Sequence, residues 1–276
     1  MEKILQIGLP ENAWTAFLKG ETEKALQAIS LPASFLPMPA AQLHPALRRG
    51  DLDAVANVLH LLPAFPDDDI ANAAIISRQE PLSLLLIHPE AQAQKAFRLA
   101  HEARMATPHL WQEVQMRDFR PDIQWINRDG DLGKQIHDLQ SRHLDALMLT
   151  APEAEQVKEA FPEVLSLPIN PRECCPAPGL GAVVIQCSAA DKTLRKQLQF
   201  VHNREIAELT NAERKLLRLL GGDPALSLGA FCERDHMGNV HLWAAWSPGT
   251  GQPLIRLRHS SSTTFEIAEQ LLSMAQ

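Results

Sequence analysis

The stretch that decides the fold is Pro176-Ala-Pro-Gly-Leu-Gly-Ala-Val-Val-Ile-Gln-Cys187. Its first half combines proline with glycine, and these residue types favour a turn. Its second half, Val183-Val-Ile-Gln-Cys187, is apolar and rich in β-branched residues, which is typical of a buried strand. The stretch therefore predicts a turn that leads into a central strand of a sheet.

A long helical segment follows this strand. Residues 191–220 carry mostly helical spacing and contain the motif Asn211-Ala-Glu-Arg214. Thr210-Asn-Ala-Glu213 has the Thr-x-x-Glu spacing of a capping box, which predicts a helix start there. Gly221-Gly222, directly after Arg218-Leu-Leu, predicts the end of the helix.

Before the decisive stretch, the pattern of the chain alternates between strands and helices. Apolar runs predict strands over residues 3–8, 53–59, 73–77, 82–87, 121–126 and 144–149. Helical spacing is present over residues 12–29, 43–49, 89–106 and 130–139. This alternation predicts an α/β fold with largely parallel sheets. From residue 227 onward, three short strand patterns and a closing helix predict a small α+β unit.

Length, composition and charge exclude several classes of protein. With 276 residues, of which 45% are hydrophobic, the chain can bury the cores of two or three domains. A net charge of -7, with no local run of Lys or Arg, argues against a nucleic-acid partner. The apolar runs are too short to cross a bilayer, and residues 1–8 lack the zones of a secretory signal. We therefore expect a cytoplasmic protein without a membrane partner.

The four cysteines are Cys174, Cys175, Cys187 and Cys232. They are too few and too irregularly spaced for a disulfide scaffold, and adjacent cysteines chelate one metal ion poorly. Reduced thiols and no metal site are therefore expected. Cys175-Pro176 also matches a dipeptide of short haem-regulatory motifs, which leaves haem ligation open as an alternative.

These motifs resemble the hydroxymethylbilane synthase family, also called porphobilinogen deaminases. That family reads Pro-Ala-x-Gly-Gln-Gly-Ala before an apolar strand, then Thr-Ala-Glu-Arg, then Arg-Leu-Glu-Gly-Gly-Cys. The resemblance implies two periplasmic-binding-protein-like α/β lobes with mixed, largely parallel sheets, plus a small α+β C-terminal domain. It assigns residues 1–80 and 172–193 to lobe 1, residues 81–171 to lobe 2, and residues 194–276 to the C-terminal domain.

The resemblance also implies a position for the family's cofactor. The cysteine of the family's Arg-Leu-Glu-Gly-Gly-Cys carries a dipyrromethane through a thioether. Here that position falls on Asp223 or Pro224, and neither side chain can form this bond. We therefore expect no dipyrromethane cofactor, and Cys232 is the only cysteine near the implied position.

The catalytic positions implied by the resemblance are also changed. The family's His-Ser-Met-Lys-Asp falls on Asn57-Val-Leu-His-Leu61, which puts Leu61 where the catalytic aspartate would be. The family's two arginines at a helix start fall on Trp111 and Gln112. No catalytic residue is therefore predicted. The candidate cleft residues, which lie at or near the implied positions, are His60, Asp68, Thr107, Trp111, Gln112 and Arg128.

Three hypotheses about function follow. The first is a hydroxymethylbilane synthase-like pseudoenzyme of the tetrapyrrole and haem biosynthesis family, which binds a small molecule or a partner protein between its lobes. The second is an active transferase that converts four porphobilinogen molecules to hydroxymethylbilane with an unorthodox site. The third is a regulator that binds a tetrapyrrole or another small molecule. A covalent dipyrromethane mass increment would distinguish the second hypothesis from the first.

Overall fold

The computed structural model describes residues 3–126, 131–223, 226–248 and 252–275. The strands are β1 Leu5–Pro10, β2 Ala33–Met38, β3 Ala54–Val58, β4 Ile70–Arg78, β5 Ser83–Ile87, β6 Arg104–Ala106, β7 Gln124–Trp125, β8 Ala146–Thr150, β9 Leu165–Ile169, β10 Ala182–Ser188, β11 Gly229–Arg234, β12 Val240–Trp246 and β13 Ile255–Ser261. The helices are α1 Thr15–Ala28, α2 Ala40–Arg49, α3 Leu110–Phe119, α4 Leu132–Gln140, α5 Ala151–Ala160, α6 Lys192–Leu198, α7 Arg204–Leu219 and α8 Ile267–Ser273.

The first sheet has the strand order β2-β1-β3-β10-β4. Strand β1 runs parallel to β2 and β3, whereas β10 runs antiparallel to both of its neighbours. The predicted strand Val183–Cys187 is therefore confirmed as an inner strand, and Val183 lies opposite Val58. Its side chains are buried because helices and neighbouring strands cover the sheet.

The second sheet has the strand order β7-β6-β8-β5-β9. Strand β6 runs parallel to β7 and β8, and β5 runs antiparallel to β8 and β9. The chain enters this sheet through β5 and leaves it through β9, with Ser83 directly opposite Ile169. The second lobe is thus inserted into the chain between two strands of the first sheet.

The third sheet is an antiparallel meander of β11, β12 and β13. Helices α7 and α8 contribute Leu216 and Ile267 to a core shared with Leu242 of the sheet, and all three side chains are fully buried. Trp246 lies in this core, whereas Trp243 lies on the opposite face because successive strand residues alternate between faces. A small α+β C-terminal domain results.

This architecture confirms the predicted fold class, which is two α/β lobes with a small C-terminal sheet domain. The domain limits at residues 80, 171 and 193 stay a prediction. None of the helices in the described ranges combines the length and the apolar character needed to cross a bilayer.

The predicted helix over residues 89–106 is wrong. The structure has short 3₁₀ turns at Pro89–Ala91 and Ala96–Arg98, followed by β6. Phe97 and Glu102 adopt positive φ angles of 57° and 56°, which a right-handed helix cannot contain. Arg120 holds this irregular segment by donating hydrogen bonds to the backbone carbonyls of residues 96, 99 and 100.

The predicted capping box at Thr210 is also wrong. Thr210 lies inside α7, and its hydroxyl donates to the carbonyl of Ile206 at 2.7 Å. The helix begins instead after Asn203, whose side chain accepts the N–H of Ile206 at 3.1 Å. The predicted helix end is confirmed, since Gly221 has a φ of 96° directly after the last turn.

Candidate functional site

The candidate site is formed at the carboxyl ends of strands from both lobes. Trp14 follows β1 and His60 follows β3, while His109 follows β6 and Glu153 follows β8. Parallel strands bring their carboxyl ends to the same edge of a sheet, which is where α/β proteins commonly bind ligands. We call Trp14, His60, His109, Trp111 and Glu153 the inter-lobe site.

The first-lobe side of the inter-lobe site consists of Trp14 and His60. Their ring centroids are 5.4 Å apart with an edge-on angle of 60°. The Nδ1 atom of His60 is buried and has no hydrogen-bond partner among the described residues. Burial, reinforced by the nearby His109, lowers the pKa of His60 to about 3. His60 is therefore a neutral imidazole at physiological pH.

The second-lobe side consists of His109, Trp111 and Glu153. His109 Nε2 lies 2.9 Å from Glu153 Oε2, and the rings of His109 and Trp111 are stacked with centroids 5.7 Å apart. Burial by itself would raise the pKa of Glu153, but hydrogen bonds from His109 and Thr150 outweigh this effect and lower it. Glu153 is thus a carboxylate held by its neighbours, and His109 is oriented by it.

Thr107 and Gln112 were predicted to face the cleft, but both side chains are fully buried. The Thr107 hydroxyl donates to Gln112 Oε1 at 2.5 Å, and Gln112 Nε2 donates to Ser83 Oγ at 2.9 Å. The N–H of His109 in turn donates to Thr107 Oγ1 at 3.1 Å. These residues fix the backbone that carries His109 and Trp111.

Leu61, which the resemblance aligns with the family's catalytic aspartate, is half exposed at 50% of its maximal area. Arg214 holds the backbone around it, because its guanidinium donates to the carbonyls of Leu59 at 2.8 Å and Pro63 at 2.5 Å. Burial lowers the pKa of Arg214 to about 10. The arginine of the Asn-Ala-Glu-Arg motif is therefore used to position this loop.

Glu213, its neighbour in the motif, joins three segments of the chain. Its carboxylate accepts two hydrogen bonds from Arg78, one from the N–H of Gly179 and one from the N–H of Cys232. The side chain is fully buried. The motif therefore has a structural role at the junction of the first lobe and the C-terminal domain.

Asp68 is not brought to the inter-lobe site. It precedes β4, whose first residue, Ile70, pairs with Ser188, whereas the loop of His60 follows the opposite end of β10. The flanking Asp67 and Asp69 form ion pairs with Arg48. Two further predicted positions, Arg128 and Pro224, lie outside the described residues.

Sequence reasoning missed Trp14, His109 and Glu153. Trp14 and His109 lie in the connections after β1 and β6, and Glu153 lies in the first turn of α5, directly after β8. Positions after the carboxyl ends of strands commonly bind ligands in α/β folds. Thr150 and Glu153 also form a capping box, a Thr-x-x-Glu signal that is visible in the sequence. The signals were therefore present, but they did not reveal that His109 and Glu153 contact each other.

All four cysteines are buried. Burial raises the pKa of the Cys174 and Cys175 thiols to about 12, so the thiolate that iron ligation requires is disfavoured. The backbone N–H and carbonyl of Cys175 are both bonded to the amide of Gln115. Haem ligation at Cys175-Pro176 stays untested.

The arrangement defines a two-lobed α/β protein with a candidate site between the lobes. Its fold is similar to the solved structure of the probable amino-acid ABC transporter extracellular-binding protein from Bacillus subtilis, with a TM-score of 0.50 and 13% sequence identity. The similarity covers 79% of this chain and 97% of that chain. At this identity the comparison shows the fold alone.

The family follows from a second comparison. The model described as "Porphobilinogen deaminase, dipyromethane cofactor binding domain" matches residues 24–196, so the chain belongs to the porphobilinogen deaminase family. The porphobilinogen deaminase of Caldicellulosiruptor saccharolyticus is 26% identical over 219 residues, covering 79% of this chain and 72% of the relative. That of Xanthomonas oryzae pv. oryzae is 26% identical over 244 residues, covering 88% and 77%.

The expectation that no dipyrromethane cofactor is involved is contradicted by this match, because the family model describes a dipyrromethane cofactor-binding domain. A group of this kind therefore belongs to the family. The described thiols do not fit a thioether in this arrangement: Cys232 is 1% exposed within the core of the third sheet, and burial raises its pKa. Asp223 follows the double glycine, outside the matched residues.

Proposed function

We propose that this member of the porphobilinogen deaminase family does not join porphobilinogen units and instead binds a small molecule at the inter-lobe site. The observation that carries the proposal is the exposed Leu61 at the family's aspartate position. Cationic pyrrole intermediates need a fixed negative charge beside them, and an alkyl side chain cannot supply it. A cytoplasmic location is part of the same proposal.

The carboxylate of the inter-lobe site does not replace the missing aspartate. Glu153 Oε2 accepts hydrogen bonds from the Thr150 N–H at 2.8 Å and the Thr150 hydroxyl at 2.6 Å, besides its contact with His109. These donors stabilise the charged carboxylate and hold it in place. A carboxylate committed in this way stabilises the start of α5 more than a reacting cation.

Arg78 and Arg214, whose charges act on His60, are already bonded to other groups of the protein. Arg78 and Arg214 both influence the protonation of His60, but Arg78 binds Glu213 and Arg214 binds backbone carbonyls. A growing polypyrrole carries two carboxylates per ring and needs free guanidinium groups. Each charge-assisted hydrogen bond contributes about 1.5 to 3 kcal/mol, so the loss of several would weaken binding by powers of ten.

The side chains of the inter-lobe site favour a planar ligand of low net charge. Trp14 and His60 contact each other in the first lobe, and His109 and Trp111 contact each other in the second. Both tryptophans are largely buried, so a ligand would reach their edges. Aromatic faces of this kind bind flat apolar rings, while the unpartnered Nδ1 atom of His60 can hydrogen-bond a ligand. A pyrrole or a similar ring fits this chemistry.

The experiment is to incubate the purified protein with porphobilinogen and to follow uroporphyrin absorbance together with intact mass. A porphobilinogen deaminase with known activity serves as the positive control. We expect no product from this protein or from its Leu61→Asp variant, since a single carboxylate does not replace the guanidinium groups. Product formed by the unaltered protein would contradict the proposal and support the active transferase.

Binding is measured separately by titrating porphobilinogen and uroporphyrin against tryptophan fluorescence. The Trp111→Phe variant should lose part of the signal and weaken binding, whereas Trp246→Phe, in the C-terminal core, is the matched control. Stronger binding of uroporphyrin would favour the regulator hypothesis. Binding of neither compound would remove pyrroles from the candidate ligands.

A further inference from the structure

A second pocket lies where the segment returning from the second lobe meets the third sheet. It is a cavity of about 190 Å³ whose lining includes Arg172, Trp243, Arg256 and Arg258. We call these four residues the arginine pocket. It shares no residue with the inter-lobe site, and it lies on the face of the third sheet opposite helices α7 and α8.

Two guanidinium groups contact the ring of Trp243 in this pocket. The Cζ atom of Arg258 lies 5.0 Å from the centroid of its ring, and that of Arg172 lies 5.4 Å away. Each contact is a favourable cation–π interaction. The two cations repel each other, and because Glu233 offsets the charge of Arg172 alone, an anion that also reaches Arg258 would reduce the remaining repulsion.

The three arginines differ in how far they are already paired. Arg256 is committed, because it bonds Asp118 at 3.0 Å and the carbonyl of Glu173 at 2.8 Å. Arg172 forms an ion pair with Glu233. Arg258 is exposed, and within the residues that the structure describes it forms no ion pair with a carboxylate.

The position of Arg258 is fixed by a hydrogen-bonded row beside it. Arg258 Nη2 lies 3.4 Å from His241 Nδ1, and the Ser260 hydroxyl lies 2.7 Å from the same atom. The other ring nitrogen of His241 is 3.1 Å from Asp235 Oδ2. Both ring nitrogens of His241 are thus within hydrogen-bonding distance of a side chain. The His241 ring also lies beside Trp243, with 5.6 Å between the two ring centroids.

We propose that the arginine pocket binds a small ligand with two oxyanion charges, as a dicarboxylate or a phosphate ester, through Arg258 and Arg172. Guanidinium groups match carboxylate and phosphate oxygens through paired N–H donors. Three guanidinium groups line this pocket in a chain of net charge -7, and among the described residues Arg258 is the one of the three without a carboxylate partner. This site goes beyond the proposed function and does not depend on it.

A ligand in the arginine pocket would bridge two parts of the chain. Arg172 belongs to the segment that returns from the second lobe, whereas Arg258 belongs to β13 of the C-terminal domain. A ligand that bonds both would link these two parts of the chain. Binding to the folded state alone would also raise the midpoint of thermal unfolding in a concentration-dependent way.

The test is isothermal titration calorimetry with succinate, inorganic phosphate and succinamide as probes. Succinate and succinamide have the same carbon skeleton, but only succinate carries charge. We expect succinate or phosphate to bind and succinamide not to bind, and the tighter of the two anions identifies the preferred group. Absence of binding by both anions up to about 10 mM would overturn the proposal, as would equal binding of succinamide.

Two variants locate the binding. Arg258→Gln should weaken the affinity for the bound anion at least about tenfold, since one charge-assisted contact is lost. Arg49→Gln is the matched control, because Arg49 is an exposed arginine with Asp51 as its partner, in the first lobe. Equal weakening by both variants would overturn the assignment. Urea unfolding midpoints show whether both variants are folded. Arg172→Gln should weaken the affinity for the anion as well, which tests the second proposed contact independently.

Discussion

Arg78 and Glu213 form a two-pronged ion pair that joins strand β4 of the first lobe to helix α7. Nη1 donates to Oε1 at 2.9 Å, and Nη2 donates to Oε2 at 3.0 Å. The carboxylate is fully buried and also accepts the N–H groups of Gly179 and Cys232. A buried pair of this kind is costly to break from one side, because the remaining charge has no partner.

The Glu213→Gln variant should therefore lower the free energy of unfolding by about 3 kcal/mol or more. Urea unfolding at neutral pH measures the change. Glu208→Gln is the control, since Glu208 is exposed and contacts Arg234 at 3.4 Å, and its loss should cost less than about 1 kcal/mol. Similar losses in the two variants would contradict the structural role of Glu213.

His60 should make stability depend on pH. Its folded-state pKa of about 3 lies below the ordinary value of 6.5, so the unfolded chain takes up a proton first as the pH falls. The contribution of His60 is complete above about pH 6.5 and decreases as the pH falls toward about 3. Stability should therefore rise with pH in this window.

Between about pH 7.5 and about pH 5, the His60→Phe variant should lose less stability than the unaltered protein, by roughly 2 kcal/mol. Urea unfolding at both pH values checks this difference. His101→Phe, at an exposed position beside Glu102, serves as the control and should follow the unaltered protein. A pH response of His60→Phe identical to that of the control would show that His60 is not buried as described.

Two glycines should respond to alanine in opposite directions. A Cβ atom at Gly229 would lie 2.2 Å from the carbonyl oxygen of Cys175 and 2.7 Å from Gln115 Nε2, so the backbone would have to move. Gly229→Ala should destabilise the protein by roughly 1 to 3 kcal/mol. At Gly20, inside α1, an added Cβ atom would meet no described atom within 4 Å beyond its own helix backbone and chain neighbours. Gly20→Ala should therefore stabilise by about 0.5 to 1 kcal/mol. Thermal unfolding of both variants measures the two signs, and a stable Gly229→Ala protein would contradict the close contact.

The thiols should be unreactive in the folded protein. All four cysteines are buried, and burial raises the pKa of the Cys187 thiol to about 11, so little thiolate is present near neutral pH. A colorimetric disulfide reagent should titrate almost no thiol in the native state and all four after denaturation in urea. Rapid reaction of one native thiol would reveal an accessible cysteine, and peptide mapping would identify it.

The sequence predicts the inner strands well because strands buried on both faces consist almost entirely of apolar residues. Val183–Cys187 is apolar at nearly every position, and the structure places it between two strands. Residues 89–106 show the opposite case, since their helical spacing is overruled by Arg120, which binds carbonyls in a non-helical segment. Local periodicity does not report a partner that is distant in the sequence.

The sequence identifies individual residues of the candidate site but not the contacts between residues that are distant in the sequence. His60 and Trp111 could be placed by comparing motifs, and both lie at the inter-lobe site. His109 and Glu153 are 44 positions apart, and their contact depends on how β6 and β8 pair. Gln112 was predicted to face the cleft, yet its bond to Ser83 turns it inward.

The side-by-side pairing of Ser83 and Ile169 has a consequence for the evolution of the chain. Directly opposed residues of antiparallel strands lie only about 5 Å apart, so the second lobe leaves and rejoins the remainder of the protein at almost one point. A segment attached in this way is an inserted domain with a single point of connection. It can be exchanged or reshaped as a unit while the sheet that hosts it keeps its strand order, which allows new ligand chemistry to arise on an old scaffold.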